Sequence, residues 1–289
     1  HWDVYYNEFE RNLGLPRAQP LQYNLGLGIM SQVATTAGGG ATSTTVGTGT
    51  RTSNLLMWDS PNWNGFTGTL AYSTNPAAIA NEGSGVTTAA NSGNAGGGYA
   101  WSAALRYNNG PWAAGYSHYS SKSENRQEVI VGGTNVAAIN DLTGDRIWLG
   151  YKFAMGLKLG FAYDWSSNDN GAAAAVGTTK QKRGAWYLPV SYSWGPHAVY
   201  ASYARAGDTS NSAAIDTGAS AWNLGYDYAF SKRTSMGIFY TQLNNKTGGN
   251  YNLKSLGGSG ATAIGSGAAG TTGLGADARQ WYIGMTHSF

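Results

Sequence analysis

The sequence predicts an all-β fold of antiparallel strands, and three observations lead to this fold class. From about residue 51 onward, apolar side chains alternate with small or polar ones in segments of roughly 8–12 residues, which is the period of a β-strand. Short turns rich in Gly, Pro and Asn separate many of these segments. The chain also contains 43 Gly together with abundant Ser, Thr and Asn, none of which is a strong helix former.

The alternation predicts eleven strands, arranged as five hairpins and one final strand. In each hairpin a tight turn separates two alternating segments, because Gly, Pro, Asn and Ser favour the backbone angles of turns. The predicted hairpins pair 51–60 with 66–73, 98–108 with 112–120, 144–153 with 157–166, 184–194 with 198–206, and 220–230 with 235–243, and the final strand covers 278–289. Longer connections of about 24, 23, 17, 13 and 34 residues link these hairpins and the final strand.

Each predicted strand has one apolar face and one small or polar face, since successive side chains point to opposite sides of a sheet. The small or polar face of each strand carries mostly Gly, Ala, Ser and Asn. The clearest apolar sets are Tyr99, Trp101, Leu105 and Tyr107 in the third strand, Trp186, Leu188, Val190, Tyr192 and Trp194 in the seventh, Trp222, Leu224, Tyr226 and Tyr228 in the ninth, and Trp281, Ile283, Met285 and Phe289 in the last.

Two architectures satisfy this pattern. A soluble sandwich buries the apolar face, whereas a transmembrane β-barrel exposes it to lipid and lines a water-filled lumen with the polar face. Strictly alternating short and long connections and the near absence of charge from the apolar faces favour the barrel. Aromatic residues also lie at strand ends, where membrane interfaces would be, at Tyr72, Trp112, Trp194, Phe230 and Phe289. Membrane helices are excluded, because no run of about 18 apolar residues occurs.

The composition excludes several functional classes. The absence of Cys excludes disulfide scaffolds, thiolate metal sites and cysteine nucleophiles. The net charge of +3 comes from scattered basic residues, which gives nucleic-acid binding little support. His118, His197 and His287 are isolated, and neither a phosphate-binding loop nor a nucleophile elbow is present. We therefore expect no metal, no cofactor and no enzyme activity.

Four stretches of the sequence resemble one known family. They are NLLMWDSPNWNGF at 54–66, HAVYASY at 197–203, GYDYAFSKRT at 225–234 and the ending GMTHSF at 284–289. These stretches resemble the general porins of Gram-negative bacteria, in particular the β-proteobacterial branch, and the resemblance covers about residues 51–289. Phe289, at the end of an alternating strand, resembles the signal by which the outer-membrane assembly machinery recognises its substrates.

The resemblance implies a sixteen-stranded barrel, whereas eleven strands are predicted in this chain. An open sheet of eleven strands would leave two unpaired edges in lipid, which a bilayer does not tolerate. If residues 1–50 resemble the loop after the fifth strand, the eleven strands become the sixth to the sixteenth. We therefore expect five strands to precede His1 in the intact protein. The alternative is a twelfth strand at 20–30, which would close a smaller barrel.

Residues 1–50 form the first predicted unit, and 51–289 form the second, which contains the barrel strands and external loops. A short helix is predicted from Asp3, which can cap it, to Leu13. The resemblance implies that the first unit folds into the barrel as a constriction loop, whose carboxylates face basic residues on the wall. The acidic candidates are Asp3, Glu8 and Glu10. One alternative is that these three residues are ordinary solvated charges. Another is that Arg11 and Arg17 make the loop electropositive.

Strand parity predicts which charged residues lie on the polar faces. Arg106 and Arg146 are the constriction candidates, and a ring of such side chains would favour anions. Lys152 and Lys158 adjoin the turn at 154–156, so we expect them at the periplasmic mouth. For each basic residue the alternative is a rim charge without effect on selectivity. The lumen or mouth charges on these faces are Lys152, Lys158, Asp164 and Asp227.

These observations predict a general diffusion porin in the outer membrane of a Gram-negative bacterium, in contact with outer-membrane lipid and lipopolysaccharide. We expect it to pass small hydrophilic solutes and ions with a mild anion preference, without a nucleic-acid partner. The resemblance implies a homotrimer. One alternative is a barrel that sheathes a partner, such as a multihaem electron conduit or a lipoprotein. Another alternative is a secreted β-sandwich adhesin.

Overall fold

The computed structural model describes residues 29–30, 55–74, 99–122, 127–131, 134–171, 180–212, 215–249, 251, 253 and 274–289. Within these ranges, no helix has the length and apolar character needed to cross a bilayer. The described residues form twelve strands: β1 Leu55–Asp59, β2 Phe66–Ser73, β3 Tyr99–Asn109, β4 Trp112–Lys122, β5 Gln127–Val131, β6 Thr134–Lys152, β7 Leu157–Gly171, β8 Gln181–Trp194, β9 His197–Ala206, β10 Ala219–Ala229, β11 Thr234–Asn245 and β12 Ala278–His287.

The strands form one antiparallel sheet that follows chain order. From β1 to β4 and from β6 to β12 each strand pairs with the next. β4 pairs with β6, and β5 also pairs with β6. β1 and β12 are the end strands, and the pairing found among the described residues does not join them. This up-and-down order confirms the predicted all-β, antiparallel fold class.

The described parts of the eleven predicted strands are present, but the prediction of one long connection over 121–143 was wrong. β5 and the first part of β6 lie in this region and pair from Gln127 with Ala138 to Val131 with Thr134. The sequence between the two strands is Gly132-Gly133, which favours a hairpin turn. Large apolar residues begin to alternate only near residue 147. The alternation therefore indicated only the part of β6 next to the short turn.

The apolar face of the sheet is exposed and the small or polar face is buried, which reverses the arrangement of a soluble protein. On β3, Trp101 is 41% exposed and Leu105 53%, whereas Ala100 and Ser102 are each 2% exposed. We call the buried side the inner face and the exposed apolar side the outer face. A soluble sandwich would bury the outer face, so the sandwich alternative is wrong.

Residues from outside the sheet cover part of the inner face. Ile29, Met30, Tyr251 and Leu253 are buried in one apolar cluster with inner-face residues of the strands. Small side chains on the strands leave room for these larger ones, because protein interiors pack without large voids. We call the buried alanines of this cluster the alanine patch: Ala162, Ala185, Ala204, Ala206, Ala219, Ala221 and Ala278.

Gly156 permits the tight turn between β6 and β7. Its φ of +93° lies in the left-handed region, which favours glycine. A Cβ at this position would lie 2.2 Å from the carbonyl oxygen of Ser193, so the turn packs closely against the end of β8. The Ser193 amide also donates to the Gly156 carbonyl at 3.2 Å. The turn is thereby fixed to its neighbour.

Three predictions for the first unit fall largely outside the described residues. The helix from Asp3 to Leu13 lies outside them, as do the acidic candidates Asp3, Glu8 and Glu10. Of the alternative strand at 20–30, only Ile29 and Met30 are described, and these two residues belong to no strand.

Candidate pore wall

The inner face carries more positive than negative charge within the described ranges. Alternation and cross-strand register place five basic and three acidic residues on this face. Parity in the sequence indicated all of them except Asp59 and Arg183. The basic residues are Arg106, Arg146, Lys152, Lys158 and Arg183, and the acidic residues are Asp59, Asp164 and Asp227.

Arg146 and Asp164 form a buried ion pair on the inner face. They are direct cross-strand partners on β6 and β7. Arg146 donates from Nε to the Asp164 Oδ2 at 3.0 Å, and its Nη2 lies 2.9 Å from the same oxygen. Arg146 is 1% exposed and Asp164 0%. The pair is therefore locally neutral, and each charge depends on the other for compensation.

Arg106 belongs to a hydrogen-bonded chain across β1, β2 and β3. Its Nη1 donates to the Thr69 hydroxyl at 2.8 Å. The Thr69 hydroxyl in turn donates to the Asp59 carboxylate. Asp59 and Thr69 are direct cross-strand partners, which brings the carboxylate to the level of the arginine. The threonine thus links a positive and a negative side chain, and Arg106 remains partly exposed.

Arg183 is a functional candidate that the sequence analysis missed. It lies near the start of β8 and is 5% exposed. Its Nη2 donates to the carbonyl oxygen of Ile29 at 2.9 Å, and its Nη1 donates to the Tyr251 hydroxyl. The predicted strand began one residue later, at 184, and this boundary left Arg183 in a connection. Continuing the parity of Ala185 and Tyr187 by one step places Arg183 on the inner face.

Asn245 fixes the backbone beside Arg183. The Tyr251 amide donates to the Asn245 Oδ1 at 2.9 Å, and the Asn245 Nδ2 donates to the Tyr251 carbonyl at 2.9 Å. The same Nδ2 donates to the Ala276 carbonyl at 2.6 Å. Because Asn245 is the last residue of β11, these bonds anchor Tyr251 directly to the end of a strand.

Lys152, Lys158 and Asp227 lie toward the ends of strands that are joined by short turns. Lys152 and Lys158 are direct partners beside the turn between β6 and β7. Asp227 pairs with Gly237 on β11. A Cβ at Gly237 would lie 2.1 Å from the Asp227 Oδ1, so the carboxylate occupies space that only glycine leaves open. These three residues therefore differ in depth from Arg183, which lies next to a long connection.

Metal binding has no apparent structural basis in the part of the chain that is described. These residues include no group of three or more His, Asp or Glu side chains that could hold a metal ion. His118 is engaged on the outer face, where its Nδ1 lies 2.7 Å from the Asp145 Oδ1. The Tyr116 hydroxyl donates to the same carboxylate oxygen at 2.5 Å.

Phe289, the predicted assembly signal, is fully exposed. Its only ring contact within the described residues is with His287, at 4.8 Å between ring centroids. The His287 Nδ1 lies 2.8 Å from the Thr234 hydroxyl oxygen, so this ring is held by the neighbouring strand. Phe289 thus presents an accessible aromatic ring beside the short-turn end of β11.

The geometry defines a class of protein. An antiparallel up-and-down sheet with an apolar outer face and a charged inner face is the wall of a membrane-spanning β-barrel. The chain belongs to the Gram-negative porin family, whose family model matches residues 18–248. This match confirms the family resemblance that the sequence motifs predicted.

Solved structures share the fold at low sequence identity. The chain is similar to an anion-selective porin from Comamonas acidovorans, with 20% identity and a TM-score of 0.58, over 81% of this chain and 59% of that chain. It is also similar to in-vitro folded OmpT, an outer membrane protein of Vibrio cholerae, with 12% identity and a TM-score of 0.55, over 81% and 64% of the two chains. The chain thus spans about three fifths of the length of these structures. None of the curated proteins compared with the chain matches it.

Family membership assigns an environment to each face of the sheet. The chain is located in the outer membrane of a Gram-negative bacterium. Its outer face contacts lipid, and its inner face lines the lumen of the barrel. The five basic and three acidic residues of the inner face lie on this side of the sheet.

Proposed function

We propose that the whole protein is a general diffusion porin, which passes small hydrophilic solutes and ions down their concentration gradients. The observation that carries this proposal is the charged, polar inner face behind an apolar outer face. A lumen lined by such side chains holds water, whereas an apolar lumen would exclude it. A sixteen-stranded barrel, which the family resemblance implies, would leave no edge of the sheet unpaired in lipid.

We propose that the segment 1–50 narrows this lumen. Support comes from Ile29 and Met30, which belong to that segment and are buried against the alanine patch. Asp3, Glu8 and Glu10 are the acidic residues that would face the basic inner-face residues across the opening. Carboxylates on one side of the lumen and arginines on the other would create an electric field across it, which orients and filters solutes.

We propose a mild preference for anions. Five basic residues against three acidic ones on the described inner face support this preference. Asp164 compensates Arg146, so the excess rests mainly on Arg106, Arg183, Lys152 and Lys158. The similar Comamonas acidovorans structure is that of an anion-selective porin, which agrees with the proposal.

The proposal also covers assembly and the absence of catalysis. We propose a homotrimer with one pore in each subunit, and no enzyme activity.

A barrel that sheathes a partner protein would need an empty lumen. The chain's own residues Ile29, Met30, Tyr251 and Leu253 cover part of the inner face instead. This packing favours a diffusion channel over a sheath.

Solute flux through the full-length protein tests the proposal. Purified protein is reconstituted into liposomes, which are then diluted into isotonic solutions of sugars of increasing size. We expect liposome swelling at rates that fall steeply with the size of the sugar. Folded, membrane-inserted protein that gives no swelling above that of empty liposomes would overturn the diffusion function.

A further inference from the structure

We propose that Arg183 is a positioning residue of the pore, which ties two separate chain segments to the inner face. One segment contains Ile29 and Met30, and the other contains Tyr251 and Leu253. Tyr251 and Leu253 of the β11–β12 connection would then narrow the lumen together with Ile29 and Met30. This inference rests on the proposed diffusion function, and it assigns a part of the constriction to a second connection.

The contacts of Arg183 reach both segments at once. The guanidinium group carries several donors in a fixed plane, so one side chain can bind two partners in different directions. Here Nη2 donates to the Ile29 carbonyl at 2.9 Å, and Nη1 donates to the Tyr251 hydroxyl. The guanidinium carbon also lies 5.1 Å from the centroid of the Tyr251 ring, within the range of a cation–π contact.

The position of Tyr251 is fixed by the strand as well as by Arg183. Asn245 makes a two-way hydrogen-bond pair with the Tyr251 backbone, at 2.9 Å in each direction. Gly249 lies close to Gly218, the residue before β10, and a Cβ at Gly249 would be 2.7 Å from the Gly218 carbonyl oxygen. Asn245 thus holds Tyr251 beside the end of β11, where Arg183 donates to the Tyr251 hydroxyl.

The alanine patch provides the surface on which both segments rest. Ala185, Ala206 and Ala219 are successive cross-strand neighbours on β8, β9 and β10. Their small side chains form a shallow recess, and the larger residues Ile29, Met30, Tyr251 and Leu253 fill it. Burial of apolar side chains stabilises this arrangement in a lumen that otherwise holds water.

Arg183 differs from Arg146 in how its charge is compensated. Arg146 has a carboxylate partner, Asp164. The hydrogen bonds of Arg183 to Ile29 and Tyr251 go to a carbonyl and a hydroxyl, and no carboxylate forms an ion pair with it among the described residues. Arg183 therefore leaves a net positive charge beside the two segments. We infer that Arg183 contributes to anion preference as well as to the position of the segments.

The test measures how accessible Leu253 is in the full-length protein. A Leu253→Cys variant is labelled with a water-soluble thiol reagent, because the chain described here contains no Cys of its own. We expect Arg183→Gln to increase the labelling rate about tenfold or more, since it removes hydrogen bonds made by a charged group. Single-channel conductance should increase in the same variant, because the segments leave the constriction.

Three further variants separate position from charge and from folding. Arg205→Gln is the matched control, because Arg205 lies on the outer face of β9 opposite Trp186, and it should change neither measurement. Arg183→Lys should restore anion preference but not the slow labelling, because lysine lacks the planar fork that reaches two partners. Tyr251→Phe should increase labelling even if Arg183→Gln fails to fold.

The outcomes distinguish this inference from the function on which it rests. Labelling of Arg183→Gln and Tyr251→Phe at the rate of the Arg205→Gln control would overturn the positioning role, even in a conducting channel. Faster labelling would support it even if no variant conducted, and the absence of conductance would then contradict only the diffusion function.

Discussion

Arg146 on β6 and Asp164 on β7 face each other directly, and their side chains form an ion pair that is almost completely buried on the inner face. Both Nε and Nη2 of the arginine approach the same carboxylate oxygen, at 3.0 and 2.9 Å. Removal of one partner from a buried ion pair leaves the other charge without compensation. The ion pair therefore affects two properties at once: the stability of the sheet and the net charge of its inner face.

Removal of the Asp164 carboxylate should destabilise the protein strongly. We expect Asp164→Ala to lower the free energy of unfolding by about 3–5 kcal/mol, because Arg146 is left buried without compensation. The double variant Arg146→Met, Asp164→Ala should recover most of this loss, because replacing both charges is often close to neutral. Chemical unfolding of the full-length protein in lipid vesicles measures both effects. A single variant as stable as the wild type would indicate that water already compensates Arg146.

Gly115 should resist substitution because an indole ring lies over it. A Cβ at this position would lie 2.2 Å from the Trp148 Cζ2 and 2.9 Å from the Leu105 carbonyl oxygen. We expect Gly115→Ala to cost about 1–3 kcal/mol, the usual cost of overpacking. Gly68→Ala is the control, since the nearest atom to a Cβ there is 3.8 Å away. Equal unfolding midpoints for the two variants would contradict the close packing of Trp148.

A positive charge at the middle of the outer face should be costly. Leu224 is 59% exposed at the centre of β10, where the outer face meets the lipid core. We expect Leu224→Lys to destabilise the protein by about 2–4 kcal/mol in vesicles. Phe230→Lys, beside the short turn, should cost only about 0–1 kcal/mol, because the interface tolerates charge. A similar cost at both positions would contradict the predicted depth of these residues.

Acid should break a contact between two long connections. The Lys246 Nζ lies 2.7 Å from the Asp208 Oδ2, and this hydrogen bond is the main cause that lowers the pKa of Asp208. Because the pKa is lower in the folded state, the contact stabilises the protein above the ordinary pKa of an aspartate. That stabilisation disappears as the pH falls through the lowered value.

The size of this effect should be small, because both side chains are exposed. We expect Asp208→Asn to cost at most about 1 kcal/mol at neutral pH, and less in high salt. Unfolding of the wild type and of Asp208→Asn is compared from neutral to strongly acidic pH. The difference should vanish at the acidic end, and a difference that grows with acid would contradict the assignment.

Much of the sheet could be predicted from the sequence, because local alternation determines which face each strand residue occupies. Arg146 and Asp164 were placed on the polar face by parity alone, and the structure makes them direct partners. β5 could not be predicted in the same way, because Gln127–Val131 extends the wall where large apolar residues no longer alternate.

The contacts of Arg183 were beyond prediction for a different reason. Its partners Ile29 and Tyr251 are 154 and 68 residues away in the chain. Alternation describes a strand and its faces, but it contains no information on which connection folds back over them. The contacts of Tyr251 with Arg183 and Asn245 place this residue of the β11–β12 connection on the inner face.

Single-channel recording of the full-length protein in a planar lipid bilayer tests the central claim, diffusion through a charged lumen, most directly. With a potassium chloride gradient across the bilayer, we predict stepwise increases in conductance and a reversal potential displaced toward the equilibrium potential of chloride. Folded protein that inserts without conductance steps would contradict the diffusion function, and displacement toward the equilibrium potential of potassium would contradict the anion preference.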